Sequence, residues 1–385
     1  MANKKRLKIL FIPAWYPSKQ NSVAGIFIKE YAKAVSLYND VVVLYSEGIG
    51  YSLKSFYEIK DNKEDGLRTI RLKYRKSPIP KTSFFVYQLG MFLAFRKLIQ
   101  SGWKPDIIHA YVFSAGVPAI ILGKIYKIPV VITELYTNFA THTLVNREKI
   151  MAKFAMNRAR YVLPISIDLM EAIENYYKVK NRFMVIPCVV NTDMFYPLKS
   201  SDRQDDKKNN RKRMLSVCIL SPRKGINYLL ESLSQLKQKR QDFTLDIVGD
   251  GPNRKEYEEL TEKLGLDKIV KFYGRQPEIV SFMRNCDFFV LPSLYENFGV
   301  VYIEAMACGK PVIGTLGGGP KEIINKDTGI LVPPKNIEAL TSAIEYMLDH
   351  YQDYSSAKIS QYAKENFSYE IVGKKIDGIY RKVIL

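Results

Sequence analysis

The chain has 385 residues, 47% hydrophobic and 25% charged, with a formal net charge of +19 and four cysteines. That length allows two domains with a sizeable core each, and the composition is that of an ordinary globular protein. No apolar run reaches the ~18 residues that span a bilayer, and Cys188, Cys218, Cys286 and Cys308 form no C-x-x-C pair, which argues against zinc and fits free thiols in a reducing cytoplasm.

Lys4-Lys5-Arg6 followed by Leu7 to Pro13 imitates a signal peptide. The apolar run is short and meets Pro13 and Trp15 instead of a small-residue cleavage site, so Lys8 to Pro13 reads as a first strand. A loop from Ala14 to Gly25, a helix from Ile26 to Leu37 and a strand from Val41 to Tyr45 complete a β-α-β opening. The loop lacks G-x-G-x-x-G, which argues against nicotinamide binding. Charge is uneven: residues 1–200 hold 30 Lys+Arg against 14 Asp+Glu, a net of +16, and residues 201–385 hold 28 against 25, a net of +3. The densest basic stretch, Arg68, Arg71, Lys73, Arg75, Lys76 and Lys81, precedes an aromatic run from Phe84 to Phe95. Basic residues beside aromatics suit an anionic membrane surface or a pyrophosphate-linked acceptor, and a plain solvated surface is the alternative. No nucleic-acid-binding motif is present, so nucleic acid is not an expected partner.

Residues 83–100 are apolar at helical spacing and read as a core helix, with a membrane-inserting helix as the alternative, and they are too short to span a membrane. Asp106 to Ala110 is a strand, Ala115 to Tyr126 a helix, and Val130 to Thr133 a strand. Such alternation implies a parallel sheet with ligands at the carboxyl ends of its strands, which directs Tyr111 and Glu134 to Asn138 toward a cleft. His109 and His142 read as structural. Tyr161 to Ser166 is a further strand, and the polar run 199–213 is the natural interdomain linker. Beyond it come a strand from Met214 to Leu220, the loop Ser221-Pro222-Arg223-Lys224-Gly225 and a helix from Asn227. A lysine beside a glycine after a strand is suited to neutralising a diphosphate. Leu245 to Val248 with the Gly249–Pro252 turn, and Val270 to Gly274 with Arg275, are the next strands and loops.

The stretch from Leu291 to Pro311 organises the rest. Asp287 to Leu291 is a buried strand, Pro292-Ser293 stops it, and a helix follows from Gly299 to Ala307. Glu296 then lies in the loop, the N–H groups of Phe298, Gly299 and Val300 lie at the helix N-terminus, and Glu304 lies within the helix. Unbonded amides and the positive helix end bind phosphate, and two nearby carboxylates accept hydrogen bonds from sugar hydroxyls. That combination suits a nucleotide sugar.

Ser293-Leu294-Tyr295-Glu296-Asn297-Phe298-Gly299, with Glu304-Ala305-Met306-Ala307-x-Gly309-x-Pro311, resembles the signature of the family-4 retaining glycosyltransferases of the GT-B fold. The resemblance implies an α/β fold of two Rossmann-like parallel-sheet domains facing a central cleft. An acceptor-side domain would span 1–198 and a nucleotide-sugar domain 214–368, joined by the linker 199–213, with a final helix, 369–385, packing back on the first. It implies that Glu296 holds the sugar hydroxyls and Glu304 the ribose. Lys224, helped by Arg223, would neutralise the diphosphate, with Gly25, Gly251, Arg275, Asn297, Phe298, Gly299 and Val300 around the donor. Tyr16, Glu134, Tyr136 and Asn138 are acceptor-side candidates. No D-x-D is present, so metal-independent transfer is expected, with no cofactor beyond the nucleotide sugar. The acceptor would be a glycan or a lipid-linked molecule, on the cytoplasmic membrane face. The chain departs from the family pattern at Tyr111 and Leu135, where relatives carry histidine, and at Ile219, where they carry arginine. These departures keep open a non-catalytic subunit; a nucleotide-sugar epimerase shares the architecture but matches the motif less well.

Overall fold

The structure, a computed structural model, describes residues 5–18, 21, 23–49, 55–76, 80–198 and 211–385, with only the backbone of residues 80 and 81. The Lys4 and Lys81 side chains and most of the expected linker therefore lie outside the described residues. Contacts divide the chain into two units, 1–189 with 369–385, and 190–368.

The first unit contains β1 (Lys8–Pro13), α1 (Ile26–Ser36), β2 (Asp40–Ile49), β3 (Tyr57–Glu64), β4 (Leu67–Arg75), α2 (Pro80–Gln100), β5 (Ile107–Tyr111) and α3 (Phe113–Tyr126). It continues with β6 (Val130–Glu134), α4 (Asn146–Met156), β7 (Tyr161–Pro164) and α5 (Ile167–Glu171), which runs on into a π-helical turn, Ala172–Tyr176. The sheet order is β3-β4-β2-β1-β5-β6-β7. All neighbours are parallel except β3 and β4. Ile9, Leu10 and Phe11 of β1 are fully buried, as a central strand covered on both faces requires.

The β3–β4 hairpin turns at Asp65-Gly66, both with positive φ, as the favoured two-residue hairpin turn needs. It also neutralises part of the basic stretch: Arg68 pairs with Asp61 at 2.7 Å and Arg71 with Glu64 at 2.6 Å. α2 is a half-buried helix and not wholly a core one. Met91, Ala94, Phe95 and Leu98 are buried, whereas Phe85 and Leu89 are 70% and 57% exposed. Among the described residues no helix is long and apolar enough to cross a membrane.

The second unit contains β8 (Lys212–Val217), α6 (Ile226–Lys237), β9 (Phe243–Val248), α7 (Arg254–Lys263), β10 (Val270–Gly274), α8 (Val280–Asn285) and β11 (Phe288–Val290). α9 (Val300–Ala307), β12 (Val312–Thr315), α10 (Pro320–Ile323), β13 (Gly329–Val332), α11 (Ile337–His350) and α12 (Ser356–Phe367) follow. Its six parallel strands lie in the order β10-β9-β8-β11-β12-β13. This is the doubly wound nucleotide-binding order, and the winding reverses between β8 and β11.

The domain boundary falls at Val189 and not at 198. Val190 N–H donates to the Phe367 carbonyl at 2.9 Å. Arg284 donates to the Met194 carbonyl at 2.7 Å and lies 3.8 Å from the Tyr196 ring centroid. These bonds tie 190–198 to the second unit. The unit's first strand also starts earlier than expected, at Lys212.

The last helix, α13 (Tyr369–Ile384), belongs to the first unit. Gly373 lies so close to α1 that a Cβ there would stand 2.3 Å from the Ala34 carbonyl oxygen. His109 on β5 is fully buried, with Nδ1 2.5 Å from the Tyr380 hydroxyl and Nε2 2.8 Å from Thr133 Oγ1. Burial pushes its pKa down to about 3, so it is a neutral, structural imidazole.

Candidate active site

In a doubly wound sheet, loops leaving the two strands at the point of reversal diverge and leave a crevice at the carboxyl ends. In the second unit these are the loops after β8 and β11, which carry Lys224 and Glu296. The β8 loop ends in a short 3-10 turn, Pro222–Lys224, closed by Gly225 at φ +69°. A Cβ at Gly225 would meet the Pro292 carbonyl oxygen at 2.1 Å, so only glycine lets the loops come this close. Leu294 N–H donates to the Arg223 carbonyl at 2.7 Å, fastening one loop to the other.

This fastening brings the Lys224 ammonium against Glu296 Oε1. Ser293, fully buried, donates to the same oxygen at 2.8 Å. Arg223 stands 3.8 Å from Oε2 and donates to the Tyr295 carbonyl at 3.2 Å. Burial pushes the Glu296 carboxyl up, but the charges of Lys224 and Arg223 and the hydrogen bonds from Lys224 and Ser293 outweigh it and hold the pKa below the usual range. Glu296 is thus a carboxylate, and two cations meet around it. Its backbone is fixed from the other side, with Glu296 N–H donating to the Gly317 carbonyl at 3.0 Å and Gly319 N–H donating to the Glu296 carbonyl at 2.8 Å.

α9 begins directly after this loop, with Gly299 as a left-handed N-cap. Tyr302 N–H donates to the Gly299 carbonyl at 3.0 Å, and the amides before it, at the start of α9, carry the positive end of its dipole. Phe298 is buried and meets Phe367 edge-on at 5.8 Å, an anchor for the helix start. Asn297 is buried in the same loop, and Glu304 is half-buried one turn into α9 from Val300. Gly251 packs on the loop that follows β8, where a Cβ would stand 2.3 Å from the Leu220 carbonyl oxygen. Arg275 is exposed after β10, two strands from β8, and stands apart from the Lys224–Glu296 pair. Ile219, at the arginine position of the family pattern, is 65% exposed.

The first unit places its candidates differently. Gly25, at φ +67°, caps α1 against the Trp15 backbone, where a Cβ would meet a carbonyl oxygen at 2.3 Å. Tyr16 is not available to an acceptor: it is 1% exposed, packed against Tyr45 and under the Arg71 guanidinium. Glu134 is also withdrawn, being fully buried and accepting from the N–H groups of Phe113 at 2.9 Å, Leu135 at 2.8 Å and Tyr136 at 2.8 Å. Burial raises its pKa to about 7 against the pull of those three bonds. It caps the start of α3, whose preceding residue, Val112, sits at φ +73°. For a β-branched residue that is a strained conformation, held by the surrounding bonds.

Tyr136 and Asn138 remain as candidates. Asn138 donates to the Tyr136 hydroxyl at 2.9 Å, and the Tyr136 ring lies 5.7 Å from Trp15 and 6.0 Å from Phe113. These residues follow the carboxyl ends of β1, β5 and β6, so the half-buried Trp15 joins the set. Sequence reasoning gave no role at the site to Trp15, and read Ser293 as the stop of a strand and a member of the motif without a partner in Glu296. The signals were there: an aromatic just beyond the first strand, and a serine three residues before the glutamate. Leu135 is buried, with no polar group to offer.

Two family models match the chain, Glycosyltransferase Family 4 over residues 33–194 and Glycosyl transferases group 1 over residues 199–366. The two models between them span most of the chain, and it is a GT-B glycosyltransferase of the family-4 type. A probable sucrose-phosphate synthase of Thermosipho melanesiensis is 27% identical to this glycosyltransferase over 93% of the chain and 90% of the relative. An uncharacterized glycosyltransferase of Methanocaldococcus jannaschii is 30% identical over 60% of the chain, which spans 62% of that relative's length. Among solved structures, the Anabaena protein HepE in complex with UDP and glucose is similar, with a TM-score of 0.75 at 23% identity, covering 98% of this chain and 100% of that one. The two parallel α/β units are those of the GT-B fold. In this glycosyltransferase the Lys224, Arg223 and α9 group is the positive feature of the second unit, and Glu296 is its built-in countercharge.

Proposed function

We propose that this glycosyltransferase moves a sugar from a nucleoside diphosphate sugar to a hydroxyl of a glycan or lipid-linked acceptor, with retention of configuration and without a metal ion, in cell-surface polysaccharide assembly. The observation that carries this reading is the Lys224–Glu296 pair, flanked by Arg223, beside the N-terminus of α9. Lys224, Arg223 and the first-turn amides supply positive charge where a departing diphosphate develops negative charge, which is the work a metal does elsewhere. Arg223 offsets the missing arginine at Ile219. Glu296 would exchange part of its contact with Lys224 for the sugar hydroxyls, and Glu304 would hold the ribose. With Glu296 tied by Lys224 and Ser293, no side chain among the described residues is set up as a nucleophile, which supports transfer in which the donor phosphate takes the acceptor proton.

The nucleotide named with HepE supports a donor of this class. Tyr136, Asn138 and Trp15 are the acceptor-side residues of this reading. Phe85, Leu89 and Phe56, all exposed, support peripheral association with the cytoplasmic face of a membrane. The test is saturation-transfer NMR against UDP-, GDP-, ADP- and TDP-sugars, with Glu304→Ala alongside. Selective binding of one nucleotide, lost in the variant, is the expected result. No binding by a folded sample would overturn it in favour of the second reading, a non-catalytic subunit, which Leu135 and Ile219 favour.

A further inference from the structure

A cavity of about 830 Å³ opens in the first unit at the end of the sheet opposite the candidate acceptor residues. It is framed by the end of α3, the starts of β6 and β7, and the end of α13. Lys124, Lys127, Arg158 and Arg160 line it, and among the described residues no acidic one does. Among the described residues none of these four pairs with a carboxylate, unlike Arg68 and Arg71 of the β3–β4 hairpin. Its other walls are apolar, including Ile120, Ile128, Pro129, Val130 and Val383. Ile384, 45% exposed, carries that apolar wall out to the surface.

The helix ends at the cavity do not cancel its charge. α3, α4 and α13 all end near it, and each helix end carries about half a negative charge, so three together offset at most about 1.5 of the four positive charges. The balance is still cationic. Lys127 also occupies a left-handed cap at φ 56°, the position at the end of a helix where glycine is the unstrained choice. Lys178 and Lys335 take the same conformation elsewhere in the chain, so at Lys127 it fixes where the cation stands at the rim and no more.

We infer that this cavity binds the phosphate headgroup of an anionic phospholipid, with the first part of an acyl chain along the Val383 and Ile384 wall. The cations match the phosphate, and the apolar walls match the chain. The inference does not rest on sugar transfer, since a variant unable to turn over a donor would still bind lipid here.

The test is isothermal titration of the full chain with monomeric dihexanoylphosphatidylglycerol. Its zwitterionic counterpart dihexanoylphosphatidylcholine, inorganic phosphate and hexaglutamate serve as comparison ligands. The expected result is saturable binding of the anionic lipid, about tenfold or more tighter than that of any comparison ligand. Binding should weaken about tenfold or more in Lys127→Glu/Arg160→Glu and hold in Lys76→Glu. Should the first variant fail to fold, Lys124→Glu/Arg158→Glu reverses exposed charges without touching the strained cap. Equal affinity for phosphate would leave the apolar walls idle and overturn the inference. So would lipid binding indifferent to both charge reversals, or tighter binding of hexaglutamate, which would assign the surface to an acidic protein.

Discussion

Lys224 is 14% exposed and Glu296 9%, and each makes the other's burial tolerable. Removing one partner of such a pair strands the other charge, so Glu296→Ala is expected to cost on the order of 3 kcal/mol, read as a lower thermal midpoint. Sugar transfer should fall by about two orders of magnitude or more, the scale on which charge-stabilising groups act. The two buried carboxylates should also give opposite pH slopes. The Glu296 pKa is lowered in the folded state, so its contribution is present above the ordinary glutamate pKa of about 4.3 and is lost as pH falls through its folded value. The Glu134 pKa is raised to about 7, so the folded state retains a proton that the unfolded state has released, and stability falls as pH rises from about 4.3 to about 7. Denaturant titrations of wild type and Glu134→Gln at pH 4.5 and 7.5 check this: the variant should lose less stability over the interval. An equal loss would show that the three backbone bonds keep Glu134 ionised. Gly225→Ala combines positive φ with a 2.1 Å clash and is expected to lower both stability and donor binding.

At the scale of elements, the alternation of strands and helices was legible because buried parallel strands read as continuous apolar runs. β1 matched residue for residue, from Lys8 to Pro13. The β3–β4 hairpin went unread although Asp65-Gly66 marks its turn, because its exposed residues are charged on most positions and look like surface. Its ion pairs show why counting charge along the sequence overstated the basic patch: partners seven residues apart meet across an antiparallel pair. α4, with little apolar periodicity, also escaped. α13 is held through Tyr380 and Gly373. Tyr380→Phe leaves His109 Nδ1 without its hydroxyl partner and is expected to cost about 1–2 kcal/mol. Amide exchange should quicken along α13, while nucleotide binding stays unchanged.

At the scale of the whole molecule, the chain enters and leaves its second unit through neighbouring residues, since Val190 and Ser368 are bridged. Residues 190–368 therefore carry a complete sheet, both covering layers of helix and the Lys224–Glu296 pair. That fragment is expected to fold alone and to bind donor nucleotide with an affinity within about tenfold of the full chain's, measurable by titration calorimetry. The fragment 1–189 should aggregate or melt early, because without α13 it uncovers the surface that buries Val372, Ile376, Ile379 and Tyr380. Intact folding of 1–189 would show that α13 adds little to the first unit.

The sequence by itself determined the fold class and the donor motif, because both are written locally: strands as apolar runs, and Ser293, Glu296, Gly299 and Glu304 within one strand-loop-helix. Tertiary structure alone decided which side chains are available. Lys224 meets Glu296 across 72 residues because two loops leave adjacent strands at the reversal of the sheet. Tyr16 and Glu134 look like acceptor residues at the ends of strands, yet packing against Tyr45 and Arg71 buries the first and three backbone amides occupy the second. Burial is a property of what packs over a residue: Tyr16 is covered from β2 and β4, and Glu134 is held by the Phe113 amide at the start of α3 together with those of its own neighbours Leu135 and Tyr136.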